Sequence, residues 1–164
     1  MAHGGCPRVS SPSVTSVPPL NRAAPFAYKA LLLLAEEAAE YARSMGLAPI
    51  TLELVKIRAS QINGCAYCLR MHVREAVALG EVSDRLAVVA AWRDTEYFSA
   101  EERAALVIAE RTTLIADRAI RVDEDVTALT AGQIAAVEWI AITINAFNRL
   151  SILSGYLVRG DGTQ

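Results

Sequence analysis

The chain lacks the features that several large classes of protein require. It has no excess of basic residues, because 16 Lys and Arg face 18 Asp and Glu and the net charge is -2. Proteins that bind nucleic acid need clustered cations for phosphate contacts, so nucleic acid is not an expected partner. No apolar run approaches the ~18 residues that cross a bilayer, and no charged segment precedes an apolar one as in a secretory signal. We therefore expect no membrane partner.

Cysteine is also scarce, with three residues in a chain of 164. One of them, Cys6, lies in a segment rich in Gly, Pro and Ser. This segment, residues 1–22, is predicted to be a flexible or extended leader. The other two cysteines are too few for the disulfide framework of a small secreted protein. They predict a cytoplasmic protein whose close thiol pair has a chemical role.

Apolar residues are plentiful, at 53% of the chain, but only 6% of residues are aromatic. Periodic Ala, Leu, Ile and Val, with no strand-like run between turns, predict an all-α fold. One helical domain is expected over residues 23–158, followed by a short tail over residues 159–164. The predicted helices are Phe26–Met45, Pro49–Ile62, Cys65–Leu79, Asp84–Ala91, Ala100–Asp117 and Gln133–Leu153, with a further amphipathic segment over residues 122–130.

Several residues predict where these helices begin and end. Asn63 and Gly64 indicate a break, with Gly64 suited to a helix C-terminus. Ser83 is a candidate N-cap, and Ser99 with Glu102 three residues later forms a capping-box pattern. The inner face of the helix that follows is expected to include Leu106, Ile108, Ala109, Leu114 and Ile115.

The chemistry-bearing residues are concentrated in one place. Cys65, Cys68 and His72 follow a spacing of three and then four, which puts them on one stripe of a helix. The imidazole is therefore within reach of a thiol. Glu53 lies on the preceding helix, and a helix–break–helix pair that folds back on itself can bring its carboxylate to His72. A carboxylate on one ring nitrogen fixes the tautomer and makes the imidazole a base.

Two thiols three residues apart on a helix can cycle between a dithiol and a disulfide. A thiolate that attacks a peroxide becomes a sulfenic acid, and the second thiol condenses with it. Spacing alone does not say which sulfur attacks, because a helix N-terminus favours a thiolate at Cys65 and the imidazole favours one at Cys68. A buried inert thiol pair is one alternative. A zinc site formed by the two thiols with His72 and Glu53 is another.

The motif resembles that of a known family. Glu53, eleven residues, Cys65-Ala66-Tyr67-Cys68, three residues and His72 are similar to the signature of the AhpD-like alkylhydroperoxidases, within the carboxymuconolactone decarboxylase superfamily. The segments ELVKIRASQINGCAYCLRMHVREA, WRDTEYFSAEERAALVIAERTTLI and INAFNRLSI share the likeness, which covers roughly residues 25–155. Tyr67 stands where some members have a histidine that joins the relay, which predicts a shorter relay or a lower activity.

The resemblance implies a thiol peroxidase that reduces alkyl hydroperoxides or hydrogen peroxide without a cofactor or a metal. Cys68 would attack the peroxide, Cys65 would resolve the intermediate, and His72 with Glu53 would relay protons. It also implies an AhpD-like helical fold with the CxxC at the start of a central helix, assembly as a homotrimer or homohexamer, and a dithiol or lipoyl-type protein reductant. Two alternatives are a disulfide oxidoreductase or redox sensor and a carboxymuconolactone decarboxylase-like enzyme.

Overall fold

The computed structural model describes residues 18–117 and 126–160. Over these residues the chain is all-α, as predicted, and contains no strand. A 3₁₀ helix, Val89–Asp94, lies between the fifth and sixth α-helices. The α-helices are α1 (Leu20–Ala23), α2 (Pro25–Ser44), α3 (Pro49–Asn63), α4 (Ala66–Ala78), α5 (Ser83–Val88), α6 (Ala100–Thr113) and α7 (Ala131–Leu153). No helix in the described part is both long enough and apolar enough to span a membrane.

Helix α3 lies at the centre of the bundle and packs against α4, α6 and α7, while α2 packs along α7. Small side chains at the crossings allow the helix backbones to approach closely. The alanines that are completely or almost completely buried there are Ala42, Ala59, Ala104, Ala105, Ala109, Ala136 and Ala141. One end of the bundle differs, because two cysteines are part of a small apolar cluster of α3, α4 and α7 residues: Ala59, Cys65, Cys68, Ile144 and Phe147.

The corner between α3 and α4 positions this end of the bundle. Gly64 ends α3 with φ 68° and ψ 27°, a left-handed conformation that glycine adopts without steric cost. The next residue, Cys65, is the N-cap of α4, and its Sγ accepts a hydrogen bond from the backbone N–H of Cys68. The predicted break and the predicted start of this helix are both confirmed. The chain turns back here, so α4 lies against α3.

Replacing Gly64 by alanine is expected to destabilise the fold by about 1–2 kcal/mol, because a Cβ disfavours the left-handed conformation. Nothing lies within 4 Å of the position that a Cβ would take at Gly64, so the cost is conformational and not a clash. Urea unfolding of the two proteins measures it. Gly160→Ala is the matched control, since that position also has open space but no positive φ. Equal stability of the two variants would contradict this account of the corner.

Other helix ends differ in detail from the sequence predictions. The capping box of Ser99 and Glu102 is confirmed. The prediction that Ser83 caps the next helix is wrong, because Val82 is the N-cap and Ser83 is already the first helical residue. The helix that begins at Ala100 was expected to continue to Asp117, but it ends at Thr113.

The early end of α6 coincides with a contact between Thr113 and α7. The Thr113 hydroxyl donates to the Ala109 carbonyl at 2.7 Å and accepts the Asn145 amide of α7 at 2.9 Å. The chain then turns, and the backbone N–H of Asp117 donates a hydrogen bond to the Leu114 carbonyl at 2.8 Å. Ile115 is consequently 65% exposed and does not belong to the inner face that was predicted for it.

Three predicted segments fall partly outside the described residues. Of the leader assigned to residues 1–22, residues 1–17 lie outside them, and Leu20–Ala23 form the short helix α1. The backbone N–H of Leu20 donates to the Ser154 hydroxyl at 3.0 Å, which ties α1 to the end of α7. Of the amphipathic segment over residues 122–130, residues 122–125 lie outside the described part, as do residues 161–164 of the tail.

Candidate active site

The fold-back of α4 on α3 brings Glu53 and His72 together. Glu53 Oε2 lies 2.9 Å from His72 Nδ1, and both residues are buried. They are nineteen positions apart in sequence, so only the α3–α4 corner makes this contact. The contact between Glu53 and His72 that the sequence predicted is therefore present as a short hydrogen bond between buried side chains.

A second carboxylate, not anticipated from the sequence, lies on the same ring nitrogen. Glu75 Oε2 is also 2.9 Å from His72 Nδ1, but its side chain is 49% exposed whereas that of Glu53 is 9% exposed. Two acceptors on one nitrogen require that Nδ1 carries the proton. In the neutral tautomer with the proton on Nδ1, Nε2 carries the free lone pair that a general base needs.

Glu53 is held as a carboxylate. Burial alone would raise its pKa, but the hydrogen bond from His72 and the charge of Lys56 outweigh burial and lower the pKa from 4.5 to about 2. Lys56 Nζ lies 2.6 Å from Glu53 Oε1, so the two carboxylate oxygens have separate partners. The Nδ1–H of His72 therefore faces a carboxylate that stays negatively charged at neutral pH.

The two thiols are free and buried, with 2% of Cys65 and 1% of Cys68 exposed. Burial raises the pKa of Cys65 to about 11, and the Cys68 side chain acts in the same direction. The backbone N–H of Cys68 and the side chain of Asn148 lower it by less. The expectation that the helix N-terminus makes Cys65 a ready thiolate is therefore wrong, because desolvation of the charge exceeds the benefit of the N–H.

An apolar cavity of about 230 Å³ opens beside α4. Cys68 and His72 both line it, whereas Cys65 does not. Most of the remaining wall consists of aliphatic and aromatic side chains from α2, α4 and α7, namely Tyr28, Leu32, Met71, Ile140, Ile144, Phe147 and Leu150. A small organic molecule in this cavity would meet one thiol and one imidazole, surrounded mainly by hydrocarbon.

The sequence spacing suggested direct contact between imidazole and thiol, and the structure does not have it. Among the described residues His72 forms no hydrogen bond to either sulfur, and the Sγ of Cys68 instead bonds to the Ser151 Oγ at 3.5 Å. Tyr67, which also lines the cavity, packs edge-on against Tyr156 with ring centroids 5.2 Å apart. The route from Cys68 to His72 therefore passes through the cavity.

One group of side chains in the described part is spaced to hold a cation. Ligand atoms of Glu53, His72 and Glu75 lie within 4.8 Å of one another. Neither thiol belongs to this group, so the zinc set predicted as an alternative, with both cysteines, does not assemble. The ammonium group of Lys56 already pairs with the Glu53 carboxylate, and its positive charge disfavours the binding of a metal cation at the same carboxylate.

Sequence reasoning left three contributors to this site without a role, and it considered Lys56 only as an ion-pair partner of Glu53 on a helix surface. Glu75 lies three positions after His72, so helical spacing could have identified it as a partner of that residue. Asn148 and Ser151 lie on α7, some 80 residues from the motif, and only the tertiary structure brings them to the thiols.

Comparison with known proteins agrees with the fold and the motif. The model of the carboxymuconolactone decarboxylase family matches residues 25–111. YdfG from Bacillus subtilis (strain 168), an uncharacterized protein, is 34% identical over 121 residues, which is 71% of this chain and 81% of YdfG.

A solved structure is similar over most of its length. The crystal structure of ATU0492 from Agrobacterium tumefaciens superposes on this chain with a TM-score of 0.76 at 30% sequence identity. The superposition covers 87% of this chain and 97% of ATU0492. ATU0492 is described as a protein of unknown function and a candidate antioxidant defence protein AhpD. The chain described here has the AhpD-like helical fold and belongs to the carboxymuconolactone decarboxylase family.

Proposed function

We propose that the protein is a thiol-dependent peroxidase that reduces alkyl hydroperoxides or hydrogen peroxide. The observation that carries the proposal is the pairing of Cys68 with His72 in one cavity, with Nδ1 of that histidine on the Glu53 carboxylate at 2.9 Å. A thiol is activated by a neighbouring base that a third group holds in position, and Cys68, His72 and Glu53 would take these three roles. The apolar wall suits the organic part of an alkyl hydroperoxide.

In the proposed cycle the proton of Cys68 passes to His72 Nε2 through a water molecule in the cavity that both residues line. The thiolate attacks the outer peroxide oxygen, an S–O bond forms, the O–O bond breaks, and the alkoxide leaves with the proton from His72 as an alcohol. The Cys65 thiol then attacks the sulfenic sulfur, so an S–S bond forms, and the proton that Cys65 gives up leaves with the displaced hydroxide as water. Two thiols are oxidised and one peroxide is reduced. A dithiol restores both thiols by exchange.

The reductant is proposed to be a dithiol or a lipoyl-type protein. Both sulfurs are almost fully buried and Cys68 lines the cavity, so a thin dithiol arm would reach the disulfide at Cys68 through the cavity, whereas a bulky protein dithiol would not fit without opening the bundle. Exposed apolar side chains on α2 and α7, among them Phe26, Leu33, Trp139 and Ile142, favour self-association. A homotrimer or homohexamer and a cytoplasmic location stay predictions.

The proposal is tested by counting thiols in a Cys6→Ser variant before and after one equivalent of cumene hydroperoxide. We expect the loss of two thiols, and an intact mass lower by two hydrogen atoms, within seconds to minutes. Wild-type protein alkylated beforehand with iodoacetamide is the control and should consume no peroxide. An unchanged thiol count and mass would overturn the peroxidase proposal.

The family match favours a second candidate, an enzyme of the decarboxylase type that works by proton transfer. His72 with its buried carboxylate partner would be its base, and the thiols would have no chemical part. Alkylation distinguishes the two functions. Blocking both thiols would abolish a thiol peroxidase activity but leave a proton-transfer activity intact, provided that the added groups do not fill the cavity. The smaller reagent methyl methanethiosulfonate limits that steric effect.

A further inference from the structure

The two thiols do not have the same neighbours on α7. The Sγ of Cys68 lies 3.5 Å from the hydroxyl oxygen of Ser151, and the side chain of Asn148 acts on Cys65, whose pKa it lowers. Both polar side chains are buried. Three positions separate them on α7, as three positions separate the cysteines on α4, so each sulfur has its own partner on the facing helix. This helix lies beyond residues 25–111, to which the family match extends.

The orientation of the Asn148 amide follows from its other bonds. Its Oδ1 accepts from Asn63 Nδ2 at 2.8 Å, and its Nδ2 donates one hydrogen to Ser60 Oγ at 3.0 Å. An amide nitrogen has two hydrogens, so one N–H remains to face Cys65. Asn148 is completely buried, and no rotation of the amide satisfies Asn63 and Ser60 equally well. The sulfur of Cys65 therefore meets a fixed hydrogen-bond donor.

The Ser151 hydroxyl behaves differently because it can rotate. It accepts the S–H of Cys68 while that residue is a thiol, and it can turn to donate once the residue is a thiolate. A hydroxyl of this kind adds to the stability of the thiolate without fixing it. The amide of Asn148 cannot turn, so it favours negative charge on Cys65 at every stage.

We propose that Asn148 and Ser151 are positioning residues that separate the roles of the two sulfurs, with Ser151 assisting the thiolate that attacks and Asn148 the thiolate that resolves. The assignment rests on the proposed peroxidase function. It adds that α7, and not the CxxC segment alone, determines the order of the steps. In the second step Cys65 gives up its proton and forms the S–S bond while hydroxide leaves the sulfur of Cys68, so a donor on Cys65 stabilises the negative charge on the attacking sulfur. When a dithiol later reopens the disulfide, the same donor stabilises Cys65 as the leaving thiolate.

The test uses two single-thiol proteins, both in the Cys6→Ser background. Cys68→Ser leaves only Cys65, and Cys65→Ser leaves only Cys68. The rate of alkylation by iodoacetamide at a fixed pH reports the thiolate fraction of each. Asn148→Asp keeps the shape of the side chain but replaces the N–H donor that faces the sulfur by an acceptor oxygen. The variant should slow alkylation of Cys65 by about tenfold to a hundredfold, because a hydrogen bond to a charged group is lost. The alkylation rate of Cys68 should change little in Asn148→Asp. Ser151→Ala should slow alkylation of Cys68 and leave that of Cys65 almost unchanged.

Thr113→Val is the matched control. It removes one buried hydroxyl from the same hydrogen-bonded network, at the Asn145 end, and touches neither sulfur. Alkylation of both thiols should be unchanged. If Asn148→Asp does not fold, Asn148→Leu removes the donor with a side chain of similar size and carries the same expectation. An Asn148 variant that slows both thiols equally, or neither, would overturn the assignment.

With both cysteines present, the lifetime of the sulfenic acid completes the test. It is trapped with dimedone after one equivalent of cumene hydroperoxide. Asn148→Asp should lengthen the lifetime by about tenfold or more without slowing its formation, and Ser151→Ala should slow its formation. If alkylation separates the two sulfurs but peroxide oxidises neither, the peroxidase function fails and the positioning roles stand.

Discussion

Replacing Cys68 by serine is expected to abolish peroxide consumption, whereas replacing Cys65 by serine should leave a single reaction that stops at the sulfenic acid. The reason is access. Cys68 lines the cavity with His72, and Cys65 lies behind it with a pKa raised by burial to about 11. Serine keeps the size of each side chain but its hydroxyl is not ionised near neutral pH, so it cannot act as the nucleophile.

The two variants are compared by peroxide consumption over many turnovers and by dimedone trapping after a single equivalent. Cys68→Ser should give the rate of buffer alone and no adduct. Cys65→Ser should consume one equivalent per chain and give an adduct at Cys68. Full activity of Cys68→Ser would mean that the attacking sulfur is wrongly assigned. Full peroxide consumption by both variants would contradict the dithiol cycle, because each variant lacks one of the two thiols that the cycle oxidises.

Replacing Glu53 by glutamine is expected to lower the peroxidase rate by about a hundredfold, the scale of general acid–base catalysis. The matched variant Glu75→Gln should lower it by a few-fold at most. Both carboxylates lie 2.9 Å from the same nitrogen of His72, but Glu75 is half exposed, so water screens its charge. Buried Glu53 keeps its full effect on the imidazolium that forms when Cys68 is deprotonated. An equal loss in the two variants would contradict this ranking.

The same substitution should change how stability depends on pH. The pKa of Glu53 is lowered from 4.5 to about 2 in the folded chain, although burial acts in the opposite direction. A lowered pKa gives stability that is present above pH 4.5 and lost as the pH falls towards 2. The pKa difference of about 2.5 units, at about 1.4 kcal/mol per unit, corresponds to roughly 3.5 kcal/mol of folding free energy.

Urea unfolding of wild type and Glu53→Gln at neutral and at acid pH measures this linkage. Wild type should be the more stable protein at pH 7, and its advantage should shrink steadily below pH 4.5. Glu75→Gln again serves as the control, with little change at any pH because its carboxylate is half exposed. A difference between wild type and Glu53→Gln that is independent of pH would show that packing, and not ionisation, accounts for it.

Much of the fold followed from local chemistry. Gly64 predicted the α3–α4 corner because only glycine adopts its φ of 68° freely, and Ser99 with Glu102 predicted the start of α6 because both capping groups are within four residues. The end of α6 was missed. The Thr113 hydroxyl there serves both the Ala109 carbonyl of α6 and Asn145 on α7, and a bond to a distant helix has no local signal.

The candidate site divides in the same way. The sequence by itself determined that two thiols and an imidazole share one face of α4, that a carboxylate precedes them on α3, and that a glycine corner joins the two helices, because helical period and backbone preference act over a few residues. Only the tertiary structure decided that Cys68 faces a cavity while Cys65 does not, that burial outweighs the helix N-terminus at Cys65, and that Asn148 and Ser151 on α7 meet the two sulfurs. Desolvation and cavity shape depend on every helix that packs at a point, so no stretch of sequence specifies them alone.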